Sequence, residues 1–202
     1  VSMILFDDGK NWENLKAGAK QAAENANVDL SIVAMSSEND ADQQYNLIVN
    51  EFNAGADRVI VAAVDKDELA AKINGQYKGR ITFALSSIGD KDYVTVANDN
   101  YKMGMELGLR VVADASSKEV AILDHGINRD YLNERKAGLL YAFNDRGYPV
   151  EDWMITQDGQ EYCDVLKDKL VNSNVEKIIV INEETLSDVI RVTDSIERII
   201  EV

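Results

Sequence analysis

Short, β-rich apolar runs alternate along the chain with stretches whose apolar residues recur at helical spacing. The runs predict strands over Ser2–Phe6, Leu30–Met35, Arg58–Ala62, Ile81–Ala84, Tyr93–Val96, Glu119–Leu123, Trp153–Ile155 and Lys177–Ile181. The first predicted helix places Trp12, Leu15, Ala19, Ala22, Ala23 and Ala26 on one stripe, and the second does the same with Ala41, Tyr45, Ile48, Val49 and Phe52. Later helices are expected over Tyr101–Ala115, Asp130–Arg146, Gln160–Val171 and Glu183–Val192, with Gly147 and Pro149 stopping the second of these. Strand and helix in alternation predict an α/β fold built on parallel sheets covered by helices.

One phrase occurs twice. Ala56–Leu69 and Val175–Leu186 each run from a charged pair through an apolar stretch to an acidic turn that opens a helix. A buried parallel strand ends this way where it delivers polar groups to the carboxyl edge of a sheet. The repetition predicts two Rossmann-like lobes, 1–98 and 99–202. The boundary falls within Ala97–Asn100, because the strand Tyr93–Val96 follows its predecessor with no helix between them and breaks the alternation. Arg198–Val202 reads as the start of another strand, so the second lobe is expected to be incomplete.

Composition removes several function classes. A 202-residue chain that is 46% hydrophobic is long enough for one large core or two small ones. No apolar stretch approaches the ~20 residues of a spanning helix. A formal charge of −15 speaks against direct contact with nucleic acid, whose phosphates require a basic face. The single cysteine, Cys163, cannot close an intrachain disulfide and leaves the redox compartment open. No basic segment leads into a long apolar core at Val1, so any export signal has been removed or never existed.

In open parallel sheets, ligands bind beyond the carboxyl ends of the strands. Those turns carry Asp7–Asp8, Val64–Asp65, Ser86–Ser87, Asn98–Asn100, Asp124–His125, Gln157–Asp158 and Asn182–Glu183. Carboxylates and amides suit the hydroxyls of a neutral polyol better than a phosphate, and neither a phosphate loop nor a dinucleotide fingerprint is present, so no cofactor is expected. Asp7–Asp8 lacks further ligands at a defined spacing and reads as a solvated turn, not a metal site. His125 has no nucleophile elbow to serve, so catalysis is not expected. Trp12 fits two roles, a core residue capping the sheet or a surface that stacks on a sugar. Arg135 shares the inward stripe of Leu132 and Leu139, where its guanidinium needs either a structural partner or a ligand. Asp99, Asn100 and Asn182 precede helices and suit both capping and ligand contact.

Taken in order, these stretches resemble the type I periplasmic binding proteins, the sugar receptors of ABC importers, whose fold recurs in LacI-type effector domains. The resemblance rests on Asn11–Trp12 leading into Leu15–Ala19, on Asp42–Gln44 with Asn53–Asp57, on Asn98–Gly104, on Asn133–Gly138 and on Ile181–Glu183. It implies a non-enzymatic receptor whose two lobes close over a small polar ligand, a sugar or similar polyol. Trp12 would stack on that ligand while Asp99, Arg135 and Asn182 bind its hydroxyls. Asn11, Asn100 and Glu183 would be their neighbours, with Asp8, Ser86 and Gln157 as outer contacts. The implied partner is a membrane permease or a sensor protein, and the implied location is extracytoplasmic. The alternatives are the effector domain of a LacI-type regulator, which would be cytoplasmic, and the sensor domain of a membrane kinase. The usual Asn-Pro-aromatic after the first strand is here Gly9-Lys10-Asn11-Trp12, so pentose or hexose is not implied.

Overall fold

The computed structural model describes residues 1–36, 40–114, 119–126, 128–157, 159–182, 186–196 and 202, with only the backbone of Asn11. The chain divides into two compact units, the first comprising Val1–Asn98 with Asn128–Tyr131 and the second the remainder.

In unit 1, β1 (Ser2–Leu5) leads through a 3-10 turn (Lys10–Trp12) into α1 (Glu13–Ala26). There follow β2 (Ser31–Ala34), α2 (Ala41–Asn53), β3 (Val59–Ala62), α3 (Lys66–Ile73), β4 (Ile81–Ala84) and β5 (Val94–Val96). The strands form one parallel sheet in the order β2-β1-β3-β4-β5. Its core joins Ile4, Val59, Val61, Ile81 and Phe83 to Ile48 of α2 and to Leu69 and Ile73 of α3. β5 pairs with β4 with no helix between them among the described residues, and Leu85 N–H donates to the Val96 carbonyl across the connection. The strand lies at the sheet edge, which is why Val94 and Val96 remain exposed.

Unit 2 runs α4 (Asn100–Asp114), β6 (Glu119–Asp124), α5 (Asp130–Asp145, whose first two residues count with unit 1), β7 (Val150–Met154), α6 (Gly159–Asn172), β8 (Val175–Val180) and α7 (Leu186–Thr193). Its described strands are parallel in the order β7-β6-β8. One face packs Val120, Ile122 and Ile179 against Val111 of α4 and Leu139 and Phe143 of α5. On the other, Ala121, Leu123 and Ile178 meet Tyr162 and Leu166 of α6 and Val189 of α7.

One expectation shifts. The seventh strand occupies Val150–Met154, not Trp153–Ile155. It is an edge strand with Glu151, Asp152 and Met154 exposed, so its apolar signature shrank to Trp153 and the residue beyond its end. The final strand expected over Arg198–Val202 lies outside the described residues except for Val202.

In each sheet the chain winds first to one side and then to the other. The reversal falls between β1 and β3 in unit 1 and between β6 and β8 in unit 2. Helices on opposite faces diverge there and open a crevice at the carboxyl edge, which is where such sheets bind ligands.

Candidate functional site

At the unit 1 crevice, the chain leaves β1 through Asp7, whose Oδ1 accepts the Gly9 N–H at 2.5 Å and the indole N–H of Trp12 at 3.1 Å. A side chain on Gly9 would bring its Cβ to 2.6 Å from that oxygen and would push the Asp7 carboxylate aside. The half-buried Trp12 meets Phe6 edge-on, with ring centroids 5.4 Å apart. Its backbone belongs to the 3-10 turn, as does that of Asn11, whose side chain lies outside the described residues. Asp8 is exposed and paired with Lys16, and that hydrogen bond first, then the ammonium charge, holds its carboxyl below the usual range.

Beyond β3, Asp65 caps α3 by accepting the N–H groups of Asp67 and Glu68 at 3.0 and 2.8 Å. The buried Gln44 of α2 fixes this turn, donating to the Ala62 carbonyl at 2.8 Å and accepting from the Val64 N–H at 3.0 Å. After β4, the buried Ser86 donates its backbone N–H to the Ala84 carbonyl at 2.9 Å across Leu85, whose φ is +71°. A γ-turn with a leucine at positive φ is strained, and it sits at the carboxyl edge. The stretch Asn128–Tyr131 counts with this unit: Arg129 lays its guanidinium 4.4 Å over the Phe6 ring, and Asp130 Oδ2 accepts the Lys66 N–H at 2.9 Å.

In unit 2 the crevice is organised by Arg135. Its guanidinium donates to the Asn100 side-chain oxygen at 3.0 Å and to the Ile181 carbonyl, just past β8, at 3.0 Å. Asn100 is buried, and Arg135 and Asn182 are half-buried. Asn182 follows Ile181 directly, so Asn100, Arg135 and Asn182 converge at this strand end. The alignment is set by glycine: a Cβ on Gly104 would stand 1.9 Å from the Arg135 carbonyl oxygen, so α4 and α5 touch backbone to backbone beside the site. The structural partner of Arg135 in this crevice is thus the amide of Asn100 and not the neighbouring carboxylate of Asp99. The exposed Asp99 turns its Oδ1 to the Lys102 N–H at 2.9 Å and caps α4. Gln157 is half-buried beyond β7, an edge strand separated from β8 by β6. Glu183 lies outside the described residues.

Lys136 follows Arg135 on α5. It reaches Asp124 at 2.7 Å and Asp152 at 2.8 Å, tying α5 to the end of β6 and the middle of β7. Burial works hardest against its charge, but the hydrogen bonds and charges of both aspartates together outweigh it and raise its pKa. His125 Nδ1 lies 2.9 Å from the Ile155 carbonyl, which can only accept, so Nδ1 carries the proton. The ring stands edge-on to Tyr162, with centroids 5.0 Å apart. Among the described residues, no group of three or more His, Cys, Asp or Glu is placed to hold a metal.

The chemistry of both edges is therefore hydrogen bonding from amides, carboxylates and a guanidinium, with an indole face on one unit. The model of a periplasmic binding protein domain family matches residues 1–195. No curated protein sequence matches the chain. Among solved structures, similarity extends to the periplasmic component of an ABC-type sugar transport system from Hahella chejuensis, at 20% identity over 96% of this chain and 74% of that one, with TM-score 0.78. An ABC transporter periplasmic solute binding protein from Actinobacillus succinogenes with bound D-allose is 18% identical over 96% and 73%, with TM-score 0.80. The fructose binding periplasmic domain of a hybrid two component system is 15% identical over 96% and 67%, with TM-score 0.79. At these identities the likeness is one of fold.

Proposed function

The chain belongs to the periplasmic binding protein domain family, and from that premise we propose that it is the solute receptor of an ABC-type importer, working outside the cytoplasm and binding a monosaccharide. The observation that carries this reading is the clamp at the unit 2 crevice, where Arg135 is aimed by Asn100 and the Ile181 carbonyl beside Asn182. Planar donors and amides held rigidly at a strand end suit vicinal hydroxyls, which present donor and acceptor together. Trp12 on unit 1 supplies the apolar surface that the C–H face of a sugar ring needs. In this reading Asp99, Asn100, Arg135, Asn182 and Trp12 bind the ligand, with Asn11, Glu183, Asp8, Ser86 and Gln157 around them. Lobes 1–98 and 99–202 each contribute one edge, and hinge motion near Ala97–Asn100 closes them for a membrane permease to read.

A thermal-shift screen against D-ribose, D-allose, D-fructose, D-glucose and D-galactose tests this. A sugar present at ~100 times its Kd adds about 2.7 kcal/mol and raises Tm by roughly 5–10 °C. No shift with any of these sugars overturns the proposal. A second reading, the ligand domain of a membrane sensor, is favoured by the likeness to the periplasmic domain of a two component system. Sugar binding would be shared by both readings, and capture of a permease or of a kinase by the sugar-loaded protein separates them.

A further inference from the structure

We infer that Asp7 is a positioning residue for the sugar-stacking face of Trp12; this rests on the sugar-receptor reading. The two residues belong to the same unit and the same crevice, and one oxygen does the work. Asp7 Oδ1 accepts both the Gly9 N–H at 2.5 Å and the Trp12 indole N–H at 3.1 Å. The first bond folds the exit from β1 into a tight turn, and a Cβ at Gly9 would stand 2.6 Å from that oxygen, so a larger residue there would displace the Asp7 carboxylate. The second removes the rotational freedom of the indole about its side-chain torsions. Phe6 packs against the ring as well, edge-on at 5.4 Å between centroids.

Two consequences follow for recognition. With its only polar group committed to Asp7, Trp12 offers the ligand a stacking face and no hydrogen bond, because indole is a donor and nothing else. Selection at this position then depends on the C–H face of the sugar, so epimers that turn a hydroxyl toward the indole are rejected. The plane of that face is also fixed before ligand arrives, so little side-chain entropy is lost on binding. Asp8, one residue on, has no such part: it is exposed and held by Lys16.

The test uses the full chain labelled with 15N in its two tryptophans, the Trp12 indole signal being identified by its loss in Trp12→Phe. In the wild type, the Trp12 N–H should exchange with solvent at least ten-fold more slowly than free indole. In Asp7→Ala that protection should disappear while the Trp153 signal stays in place. Asp7→Asn, which keeps the accepting oxygen, should restore it. Titration with D-ribose, D-allose, D-glucose and D-galactose should show Asp7→Ala weakened about 2- to 12-fold toward any that binds, the range for losing an oriented aromatic contact, with Asp7→Asn within two-fold of wild type. Rapid indole exchange in the wild type overturns the inference without any variant having to fold. So does Asp7→Ala binding a sugar as tightly as wild type does. If no sugar binds the wild type while the indole is protected through Asp7, the sugar-receptor reading fails and the orientation of Trp12 by Asp7 survives.

Discussion

Gly138 of α5 lies so close to Tyr101 of α4 that a methyl group on it would stand 1.9 Å from the Tyr101 carbonyl oxygen. Gly104 stands in the reciprocal position against the Arg135 carbonyl, and one turn further along α4 a Cβ on Gly108 would meet the Ala142 methyl at 2.8 Å. Small residues on both helices thus let two backbones touch, and that contact places Arg135 beside Asn100. Alanine normally stabilises a helix relative to glycine by about 0.5–1 kcal/mol. At Gly104 and Gly138 the sign should reverse, because the obstacle is backbone and overpacking of this kind costs ~1–3 kcal/mol or more. Gly18 of α1, with nothing within 4 Å of its Cβ position, is the control. Denaturant titration should find Gly18→Ala at least as stable as wild type and Gly138→Ala clearly less stable; equal stability of the two refutes the close contact.

The Arg135 clamp should matter to affinity as well as to folding. Removing a charge-assisted hydrogen bond costs ~1.5–3 kcal/mol, roughly 10- to 150-fold in affinity. Arg135→Ala is expected to weaken binding of any sugar found by the thermal screen by that factor. Arg135→Lys should recover little, since a single ammonium cannot reach both Asn100 and the Ile181 carbonyl in the planar geometry observed. A double-mutant cycle with Asn100→Ala should show non-additive loss, and simple additivity in calorimetric titrations would separate the two residues.

Asp99 allows capping and ligand contact to be told apart. Its carboxylate accepts the Lys102 N–H, so Asp99→Ala should cost ~1 kcal/mol of stability through the lost cap. Asparagine caps as well as aspartate does, so Asp99→Asn should leave stability near wild type while removing the charge. A fall in sugar affinity in Asp99→Asn then reports ligand contact alone. Wild-type affinity in that variant would confine Asp99 to capping.

The apolar runs disclosed the strands because parallel strands covered on both faces have little choice but continuous hydrophobicity. β7 was displaced for the converse reason, since an edge strand exposes Glu151, Asp152 and Met154. Arg135 was legible from its stripe because it shares the inward row of Leu132 and Leu139, where a guanidinium is only partly solvated. Its partner was not, since the choice between Asp99 and Asn100 is set by which residue caps α4 and by the glycine contact between helices distant in sequence. Asp7 left a local signal, an aspartate two residues before a glycine, which is the pattern of a side chain turning back on its own backbone. Lys136 left none, because only the folded sheet brings Asp124 and Asp152 to it.

Lys136 supplies a pH dependence of known sign. Burial opposes its charge most strongly, yet the hydrogen bonds to Asp124 and Asp152, reinforced by their charges, raise its pKa in the folded protein. A raised lysine binds its proton more tightly when folded than when unfolded, so its contribution is complete below the ordinary lysine value of about 10.4 and is lost as pH rises through the higher folded value. Lys72 and Lys78 are raised as well, chiefly by hydrogen bonds to Asp42 and Asp92, so the alkaline slope of the wild type is shared and the informative quantity is a difference. Lys136→Met removes the ammonium and leaves both carboxylates without it. The stability gap between wild type and Lys136→Met, measured by urea denaturation, should hold constant from about pH 7 to pH 10 and narrow above the ordinary lysine range of about 10.4. A gap that does not narrow as Lys136 loses its proton would mean that the ion pairs with Asp124 and Asp152 contribute nothing, and that Lys136 acts only through the packing of its aliphatic stem.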